Sequence, residues 1–428
     1  MNRNNIKYLP RIIDYEIQMQ LQASGAIQIK GPKWCGKSTT GEFFSNSAIY
    51  MQDNKMNYQY MSLAELNPSK LLEGETPRLI DEWQLAPKLW DSVRDEVDKR
   101  QKQGQFILTG SVTPINSNEI HHSGIGRITV LKMRTMSLYE SQDSNGSVSL
   151  ENLFANKDVD GTNSLKLDDI AKVIVRGGWP LSINSNEKTS MLQARNYYDS
   201  LINSELIKED SSNYSKRNAL KMKALLRAYA KNIGTQTSIN KIITETNSES
   251  DIERTTVYNY LKDLTNLFVI EEMQSWNTNL RSKTAIMSSD THYFMDPSIG
   301  CAALGIGYQD LMNDLKTMGF LFENLVIRDL RIYAQSLDGE VYHFRNRNGL
   351  ECDSVIHLRN GNYGLIEIKL GGEKLINEGC ANLLKLEKDI DTSRMNKPSF
   401  MAIITAVGDY AYKNKDGIYI IPIGCLKN

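Results

Sequence analysis

The sequence predicts an α/β protein whose amino-terminal part is a parallel, doubly wound sheet. Two observations predict it: short, β-rich apolar segments alternate with helical ones, and a glycine-containing loop joins the first strand to the first helix. Parallel neighbours need a crossover connection, and a helix between two strands supplies it. The expected strands are 24–30, 78–81 and 106–109.

The bulk composition is that of a globular protein. The 428 residues suffice for about three domains of ordinary size. Apolar residues make up 40% and charged residues 24%, and no apolar run reaches the roughly 20 residues of a membrane span. The opening segment MNRNNIKYLP lacks the apolar stretch of a secretory signal. We therefore expect a cytoplasmic protein with no membrane segment.

Charge and cysteine content narrow the classes of function. With 50 basic and 51 acidic residues the chain is not a polycation, so any contact with nucleic acid must rest on local patches. The five cysteines are scattered, without a CxxC pair or histidines at ligand spacing, which argues against a zinc site or a disulfide framework. The charge balance neither requires nor excludes DNA.

A phosphate-binding loop is predicted after the first strand. Glycines let such a loop turn its N–H groups toward phosphates, and the following helix N-terminus adds partial positive charge. We expect Lys37 to reach the β and γ phosphates of ATP and Ser38 to offer a hydroxyl to Mg²⁺, with Thr39 among the ATP-binding residues. The other interpretation is a glycine-rich turn before a helix. The GxxxxGKS spacing is formed by Gly31, Pro32, Lys33, Trp34, Cys35, Gly36, Lys37 and Ser38.

Two adjacent carboxylates end the second strand. ATP hydrolysis needs one carboxylate to hold Mg²⁺ and another to orient or deprotonate the attacking water, and Asp81 and Glu82 are expected to take these roles in that order. An isolated Asp-Glu pair is usually a solvated turn, but next to the loop it predicts a catalytic pair. Ser111 follows the third strand and either hydrogen-bonds the γ phosphate or caps a helix.

Residues 218–275 predict three helices and a wing strand, LFVIEEM. Winged helices bind DNA in some proteins and act only as adaptors in others, and both interpretations stay open. A basic stripe suited to phosphates is formed by Lys223, Arg227 and Lys231. Residue types that can read DNA lie on or near the outward side of the third helix: Arg254, Thr255, Thr256, Tyr258, Asn259 and Lys262.

A second constellation lies near the C-terminus. Asp353 lies in the strand CDSVIHL, Glu367 and Lys369 lie in GLIEIKL, and Glu323 precedes them on an amphipathic helix. Residues i and i+2 of a strand share a face, so Glu367 and Lys369 point the same way. Asp353 and Glu367 are expected to bind Mg²⁺ while Lys369 polarises a water. The common alternative is a surface strand that happens to carry an acid and a lysine.

Several segments together resemble a large bacterial family of AAA-type ATPases: GAIQIKGPKWCGKST, LIDEWQLAPKLWDSVRDEVD, FILTGS, GIGRI and RGGWP. The resemblance runs from about Tyr8 to near the C-terminus. In that family an N-terminal ATPase is fused to a C-terminal domain of the restriction-endonuclease-like fold. The resemblance implies that Arg127 is an arginine finger that reaches a neighbouring subunit. Arg176 is a weaker candidate for the same role. From the residues alone, a lone Arg in a glycine-flanked segment is more often a structural or solvated cation.

The C-terminal order of an acid on a helix, then D and ExK on strands, resembles the PD-(D/E)xK nucleases. Cys352 stands where that pattern often has another residue, and many such domains bind nucleic acid without cutting it. We expect an ATPase domain at 1–205, with an exposed polar connection at 141–166, then a winged-helix segment at 206–285 and a nuclease-like α/β domain at 286–428.

The expected function is ATP hydrolysis with Mg²⁺, coupled to a C-terminal domain that binds DNA and, in one version, cleaves it. The alternative is an ATP-dependent conformational switch that binds a protein partner and carries an inactive nuclease-like domain. A homo-oligomer is expected if Arg127 acts on a neighbouring subunit.

Overall fold

The computed structural model describes residues 8–110, 123–205, 212–277, 289–346, 348–392 and 395–428. The chain divides into two compact units, one comprising Met1–Thr135 with Asn266–Phe268 and the other Met136–Thr265 with Val269–Asn428. In the described ranges, no helix combines the length and the apolar character that crossing a membrane requires.

The described residues of the first unit form five strands and four helices. The strands are β1 Ala26–Lys30, β2 Ser47–Tyr50, β3 Arg78–Asp81, β4 Phe106–Gly110 and β5 Ile128–Lys132. The helices are α1 Ile13–Ala23, α2 Lys37–Phe43, α3 Asn57–Leu66 and α4 Lys88–Arg100, with 3-10 turns at Pro68–Leu72 and Trp83–Leu85. All neighbouring strands are parallel, in the order β2-β3-β4-β1-β5, which confirms the predicted parallel sheet.

Apolar side chains cover both faces of this sheet. On one face α4 contributes Leu89, Trp90 and Val93 to a buried cluster, and on the other α1 contributes Ile13 and Ile17. Burial of a side chain of this size stabilises the fold by about 1.5–3 kcal/mol. Because the central strands are covered on both faces, consecutive residues of β4 from Phe106 to Leu108 are apolar and buried, and Gln28 of β1 is buried as well.

The second unit combines many helices with a mixed sheet. Its helices are α5 Leu150–Phe154, α6 Leu167–Arg176, α7 Pro180–Ile183, α8 Glu187–Ser200, α9 Ser212–Lys231, α10 Ile239–Asn247, α11 Arg254–Asn266, α12 Pro297–Leu304, α13 Tyr308–Asn313, α14 Leu315–Ser336 and α15 Glu373–Asp389, with a π-helical turn at Leu201–Glu205 and a 3-10 turn at Ile423–Cys425. The last residue of α11, Asn266, belongs to the first unit.

The part of this unit that the structure describes contains nine further strands: β6 Val148–Ser149, β7 Gly161–Thr162, β8 Gly339–Arg345, β9 Glu351–Leu358, β10 Tyr363–Lys369, β11 Phe400–Thr405, β12 Tyr410–Lys413, β13 Tyr419–Pro422 and β14 Leu426–Lys427. Seven of them form a sheet in the order β7-β12-β13-β11-β10-β9-β8, and β6 pairs with β14. Helix α15 packs on the sheet through Leu383 and Leu386.

The compact units divide at residue 135, whereas the sequence placed a domain boundary near residue 205. The segment after 135 joins the second unit because its strands β6 and β7 pair with β14 and β12. Its backbone N–H groups are also satisfied there: Leu138 donates to Asp329 and Gly178 donates to Asp296, both at 2.9 Å. Arg328 neutralises both buried carboxylates at 2.8–3.0 Å.

The connection at 141–166 is more ordered than its polar composition predicts. It contains β6, α5 and β7, and Val148, Leu150 and Leu153 are buried. The expectation of an exposed loop is therefore wrong for much of this segment. Short strands of two residues give no periodic signal, so composition alone could not reveal them.

Three helices, α9 to α11, occupy the expected winged-helix segment. An extended segment follows, in which Ile270 bridges Phe294 and Met273 bridges Thr291 in antiparallel fashion. The buried faces agree with the predicted apolar periodicity, with Leu225, Ile242 and Val257 fully covered. The winged-helix assignment itself stays a prediction.

Candidate functional site

The predicted phosphate loop joins β1 to α2 in a tight turn. Gly36 has φ 103° and therefore needs glycine's freedom, whereas Trp34 adopts a positive φ of 68° with its ring half exposed to solvent. A Cβ on Gly31 would lie 2.0 Å from the Met133 carbonyl oxygen, so only glycine fits. Lys37 is buried, and its ammonium donates to the Pro32 carbonyl at 2.7 Å. The loop thus wraps around the ammonium group.

The paired carboxylates lie at the same edge of the sheet as the loop. Because β1 and β3 are both parallel to the β4 strand between them, their carboxyl ends emerge on the same side. Asp81 ends β3 and is buried, and the Thr109 hydroxyl on β4 donates to its Oδ1 at 2.6 Å. The structure therefore brings Asp81 and the loop together, as the sequence indicated.

Glu82 follows in a left-handed backbone conformation with φ 57°, which costs a non-glycine residue on the order of 1 kcal/mol or more. The Gln84 amide donates a hydrogen bond to Glu82 Oε2. Burial raises the pKa of the Glu82 carboxyl above its ordinary value, the hydrogen bond from Gln84 opposes the rise, and the Asp81 carboxylate adds to it. A raised pKa makes a carboxylate a better acceptor for a proton from water.

The oxygen atoms at this edge fit a Mg²⁺ ion. Thr109 occupies Asp81 Oδ1, while within the described residues no hydrogen bond is made to Oδ2. Ser38, half-buried in the first turn of α2, offers a hydroxyl. Mg²⁺ prefers such hard oxygen ligands and usually combines one or two of them with substrate phosphates. Ser38 and Asp81 would hold the ion.

Two further ATPase candidates, Arg127 and Arg176, are not part of this cluster. Ser111 lies outside the described residues. Arg127 precedes β5 at its amino end, where its carbonyl accepts a bond from Ala26, so it lies at the opposite edge of the sheet from the loop. Its guanidinium is exposed and donates to Asp98 at 2.9 Å. Arg176 lies in the second unit and pairs with Asp143 at 2.5 Å.

The C-terminal constellation converges in the second unit. Strands β9 and β10 pair with Ser354 opposite Ile366, which places Asp353 beside Glu367. The Lys369 ammonium donates to Glu367 at 2.6 Å and to Asp353 at 3.1 Å. Asp353 also accepts the backbone N–H of Ile368 at 2.8 Å. A partly buried acid-base cluster forms, in which Glu367 is the most buried member.

Charges within the cluster perturb one another. Burial, reinforced by the Asp353 carboxylate, raises the pKa of both Glu323 and Glu367. Burial lowers the pKa of Lys369, but the carboxylates of Asp353 and Glu367 outweigh it and leave the pKa raised. Lys369 thus stays charged between Asp353 and Glu367, and Glu367 holds its proton more tightly than an ordinary glutamate does. Strongly perturbed groups of this kind are more frequent at functional sites than elsewhere.

Two polar side chains that the sequence did not predict, Tyr293 and Asn382, also belong to this cluster. The buried Tyr293 hydroxyl donates to Glu323 at 2.5 Å, and the Asn382 amide on α15 donates to Glu367 at 2.5 Å. Within the described ranges, no group of three or more His, Cys, Asp or Glu side chains is arranged to hold a metal ion. Two acids, Asp353 and Glu367, remain as the available ligands, with Lys369 between them.

The basic stripe of the middle region is partly neutralised. Arg227 and Lys231 both pair with Glu249, at 3.3 and 3.2 Å, and Lys223 lies 3.8 Å from Asp199. On α11 the Arg254 guanidinium lies over the Tyr258 ring instead. Cations that already have carboxylate partners attract phosphates less strongly.

Three family matches cover most of the chain. Residues 23–142 match a family described as AAA domain. Residues 167–310 match the domain of unknown function DUF8612, and residues 318–426 match the domain of unknown function DUF4143. No curated protein is significantly similar to the chain in sequence.

Solved structures give distant similarities. The Walker-type ATPase PABY2304 of Pyrococcus abyssi shares 14% identity, with 70% of this chain and 97% of that chain covered and a TM-score of 0.42. A signal transduction ATPase with a tetratricopeptide repeat sensor, PH0952 from Pyrococcus horikoshii, shares 13% identity over 77% of this chain and 52% of that chain, with a TM-score of 0.21.

The AAA match spans the phosphate loop of residues 31–38 and the Asp81–Glu82 pair. This match supports an ATPase within residues 23–142.

Proposed function

We propose that the protein hydrolyses MgATP at residues 31–38 and uses this cycle to control its second unit. The proposal rests on one observation: the loop after β1 and the Asp81–Glu82 pair after β3 leave the sheet at the same edge, separated only by β4. A triphosphate held by the loop then lies within reach of both carboxylates.

Each residue has a distinct role in the proposed reaction. Lys37 exchanges its bond to the Pro32 carbonyl for the β and γ phosphates, since both are acceptors for the same ammonium. Glu82 orients the attacking water and accepts its proton. Mg²⁺, when bound by Ser38 and Asp81, neutralises phosphate oxygens. Because phosphoryl transfer is mostly positioning and charge stabilisation, the rigidity of the sheet edge is itself part of catalysis.

Two substitutions separate binding from turnover. Lys37→Ala is expected to abolish nucleotide binding, whereas Glu82→Gln keeps binding and lowers kcat by about 10²–10⁴-fold. Titration of a fluorescent ATP analogue and a phosphate-release assay measure the two properties. Lys70→Ala, in an exposed ion pair of the same unit, is the control. Equal loss of binding in both site variants would contradict the assigned roles.

A second candidate function is phosphodiester cleavage in the second unit. The convergence of Asp353, Glu367 and Lys369 favours it, because paired acids with an adjacent ammonium group suit a Mg²⁺-assisted hydrolysis. The competing function is a switch, in which nucleotide state governs a protein partner and the cluster is inert.

A nuclease assay separates these two functions. Purified protein is incubated with plasmid and linear DNA in Mg²⁺ or Mn²⁺, with and without ATP, and the products and gel shifts are followed. Cleavage that is lost in Glu367→Gln and Lys369→Ala supports the nuclease. The matched control, Lys374→Ala with Glu378→Ala, removes an exposed pair of the same charges from α15. If the wild type neither cleaves DNA nor shifts its mobility in a gel, the result supports the conformational switch.

A further inference from the structure

Arg11 connects three segments around the phosphate loop. Arg11 is 7% exposed, and its guanidinium donates from Nη1 to the Cys35 carbonyl at 2.8 Å and from Nη2 to the Arg134 carbonyl at 2.9 Å. Cys35 lies inside the loop, and Arg134 lies two residues after β5. One side chain thus bridges the loop and the segment that ends the first unit.

The backbone that carries Arg11 is anchored beside α1. Asp14 accepts the backbone N–H of Arg11 at 2.9 Å and the Tyr8 hydroxyl at 2.6 Å. Helix α1 begins immediately afterwards and is buried through Ile13 and Ile17. Arg11 therefore contacts the loop from a rigid, packed element.

The segment after β5 also follows the loop closely. Met133 donates its N–H to Lys30 at 2.7 Å, and its carbonyl lies where a Cβ of Gly31 would have to be. The Cys35 thiol lies 3.8 Å from the same carbonyl. The loop therefore approaches Met133 at Gly31, where it begins, and again at Cys35. Arg11 adds a contact with the next residue, Arg134.

We infer that Arg11 is a positioning residue for the ATPase. Its planar fork fixes the Cys35 peptide, and with it the direction of the loop N–H groups that bind phosphate. The same fork links loop geometry to residues 133–135, the segment through which the chain passes into the second unit. Lysine cannot replace it, because a single ammonium on a flexible stem does not reproduce two divergent, coplanar bonds.

The matched control is Arg78. It too donates to a backbone carbonyl, that of Leu71 at 2.9 Å, and to the Ser47 hydroxyl at 2.8 Å, but at the start of β3, away from the loop. If Arg11 only stabilised the fold, Arg11→Lys and Arg78→Lys would behave alike. A positioning role predicts a loss of nucleotide affinity in Arg11→Lys alone.

The experiment compares the two variants in the full chain. We expect Arg11→Lys to raise the Kd of a fluorescent ADP analogue by about 10-fold, the consequence of losing one charge-assisted hydrogen bond, and to speed amide hydrogen exchange at 31–38. Arg78→Lys should leave both unchanged at a similar melting temperature. Unchanged affinity and exchange in Arg11→Lys overturn the proposal.

A wild-type measurement covers the case in which Arg11→Lys does not fold. Saturating MgADP is expected to slow amide hydrogen exchange at 133–135 together with that at 31–38, because Arg11 links the two segments. Protection of the loop without any change at 133–135 overturns the proposed link.

Discussion

The Thr109 hydroxyl on β4 donates to Asp81 Oδ1 on β3 at 2.6 Å, and both side chains are buried. This bond crosses neighbouring parallel strands at the edge where the phosphate loop emerges. It fixes which carboxylate oxygen of Asp81 remains available to a cation. Thr109 is therefore a partner of the proposed Mg²⁺ ligand, although it contacts no substrate itself.

Thr109→Val is expected to weaken the response to Mg²⁺. Loss of the hydroxyl frees the Asp81 carboxylate to rotate, and removal of such an outer partner typically costs about 10-fold or more in metal affinity. The Mg²⁺ concentration that gives half-maximal ATPase rate measures it. Thr129→Val is the control, since Thr129 bonds Ser24 at 2.6 Å on the same sheet, at the start of β5. An unchanged Mg²⁺ dependence would remove Thr109 from the site.

Gln84→Ala is expected to move the acid limb of the ATPase pH profile upward. Burial already raises the pKa of Glu82, and the bond from Gln84 partly opposes this, so its removal raises the pKa further. A base works only when ionised, and activity is lost as pH falls through its pKa. The acid limb of the kcat profile should therefore shift to higher pH, and the maximal kcat at higher pH should change less than the position of the limb. The measurement is the pH profile of kcat for the wild type, for Gln84→Ala and for the exposed-site control Gln59→Ala. A shift of the acid limb to lower pH in Gln84→Ala would contradict the stated role of Gln84.

Glu323→Gln is expected to flatten the pH dependence of stability in the second unit. Burial and the Asp353 carboxylate raise the pKa of Glu323 to about 8. The folded chain then binds this proton more tightly than the unfolded chain, so the contribution to stability is complete below the ordinary value of 4.5 and is lost as pH rises toward 8. Melting temperatures from pH 5 to 8.5 test it, with the exposed Glu378→Gln as control. If the melting temperature fell more steeply with rising pH in Glu323→Gln than in the wild type, the predicted direction of the pH dependence would be wrong.

Arg127→Ala tests catalysis between subunits. In its own chain Arg127 lies one strand length, roughly 16 Å, from the loop edge. Its pair with Asp98 is exposed, so its removal should leave the melting temperature unchanged. We expect a loss of turnover that an equimolar mixture with Lys37→Ala restores, since each variant supplies what the other lacks. Full activity of Arg127→Ala would leave Arg127 as a surface ion pair only.

The sequence predicted the features that are encoded by residues close together in the chain. The phosphate loop, the strands around it and the carboxylate pair are each written in a few consecutive residues, and the parallel sheet and the ATPase assignment are confirmed. The C-terminal acids and lysine are likewise encoded by an i, i+2 spacing on one strand, and the structure brings them together. Their roles stay predictions.

What the sequence did not predict depends on contacts distant along the chain. Arg11 meets residues 24 and 123 positions away, and Tyr293 and Asn382 reach acids 30 and 15 positions away. A lone Arg, Tyr or Asn has no spacing that announces such a partner. The same holds for β6 and β7, whose partners lie more than 240 residues later.

Strand β7 forms one edge of the seven-stranded sheet, and Asn163 just beyond it donates to the Gly408 carbonyl at 2.8 Å. A truncated protein that starts at residue 286 would lack this edge and would leave the backbone of β12 open to pairing with other molecules. A fragment that starts at residue 136 retains the pairing. Efforts to produce the C-terminal region separately should therefore cut the chain directly behind the ATPase sheet.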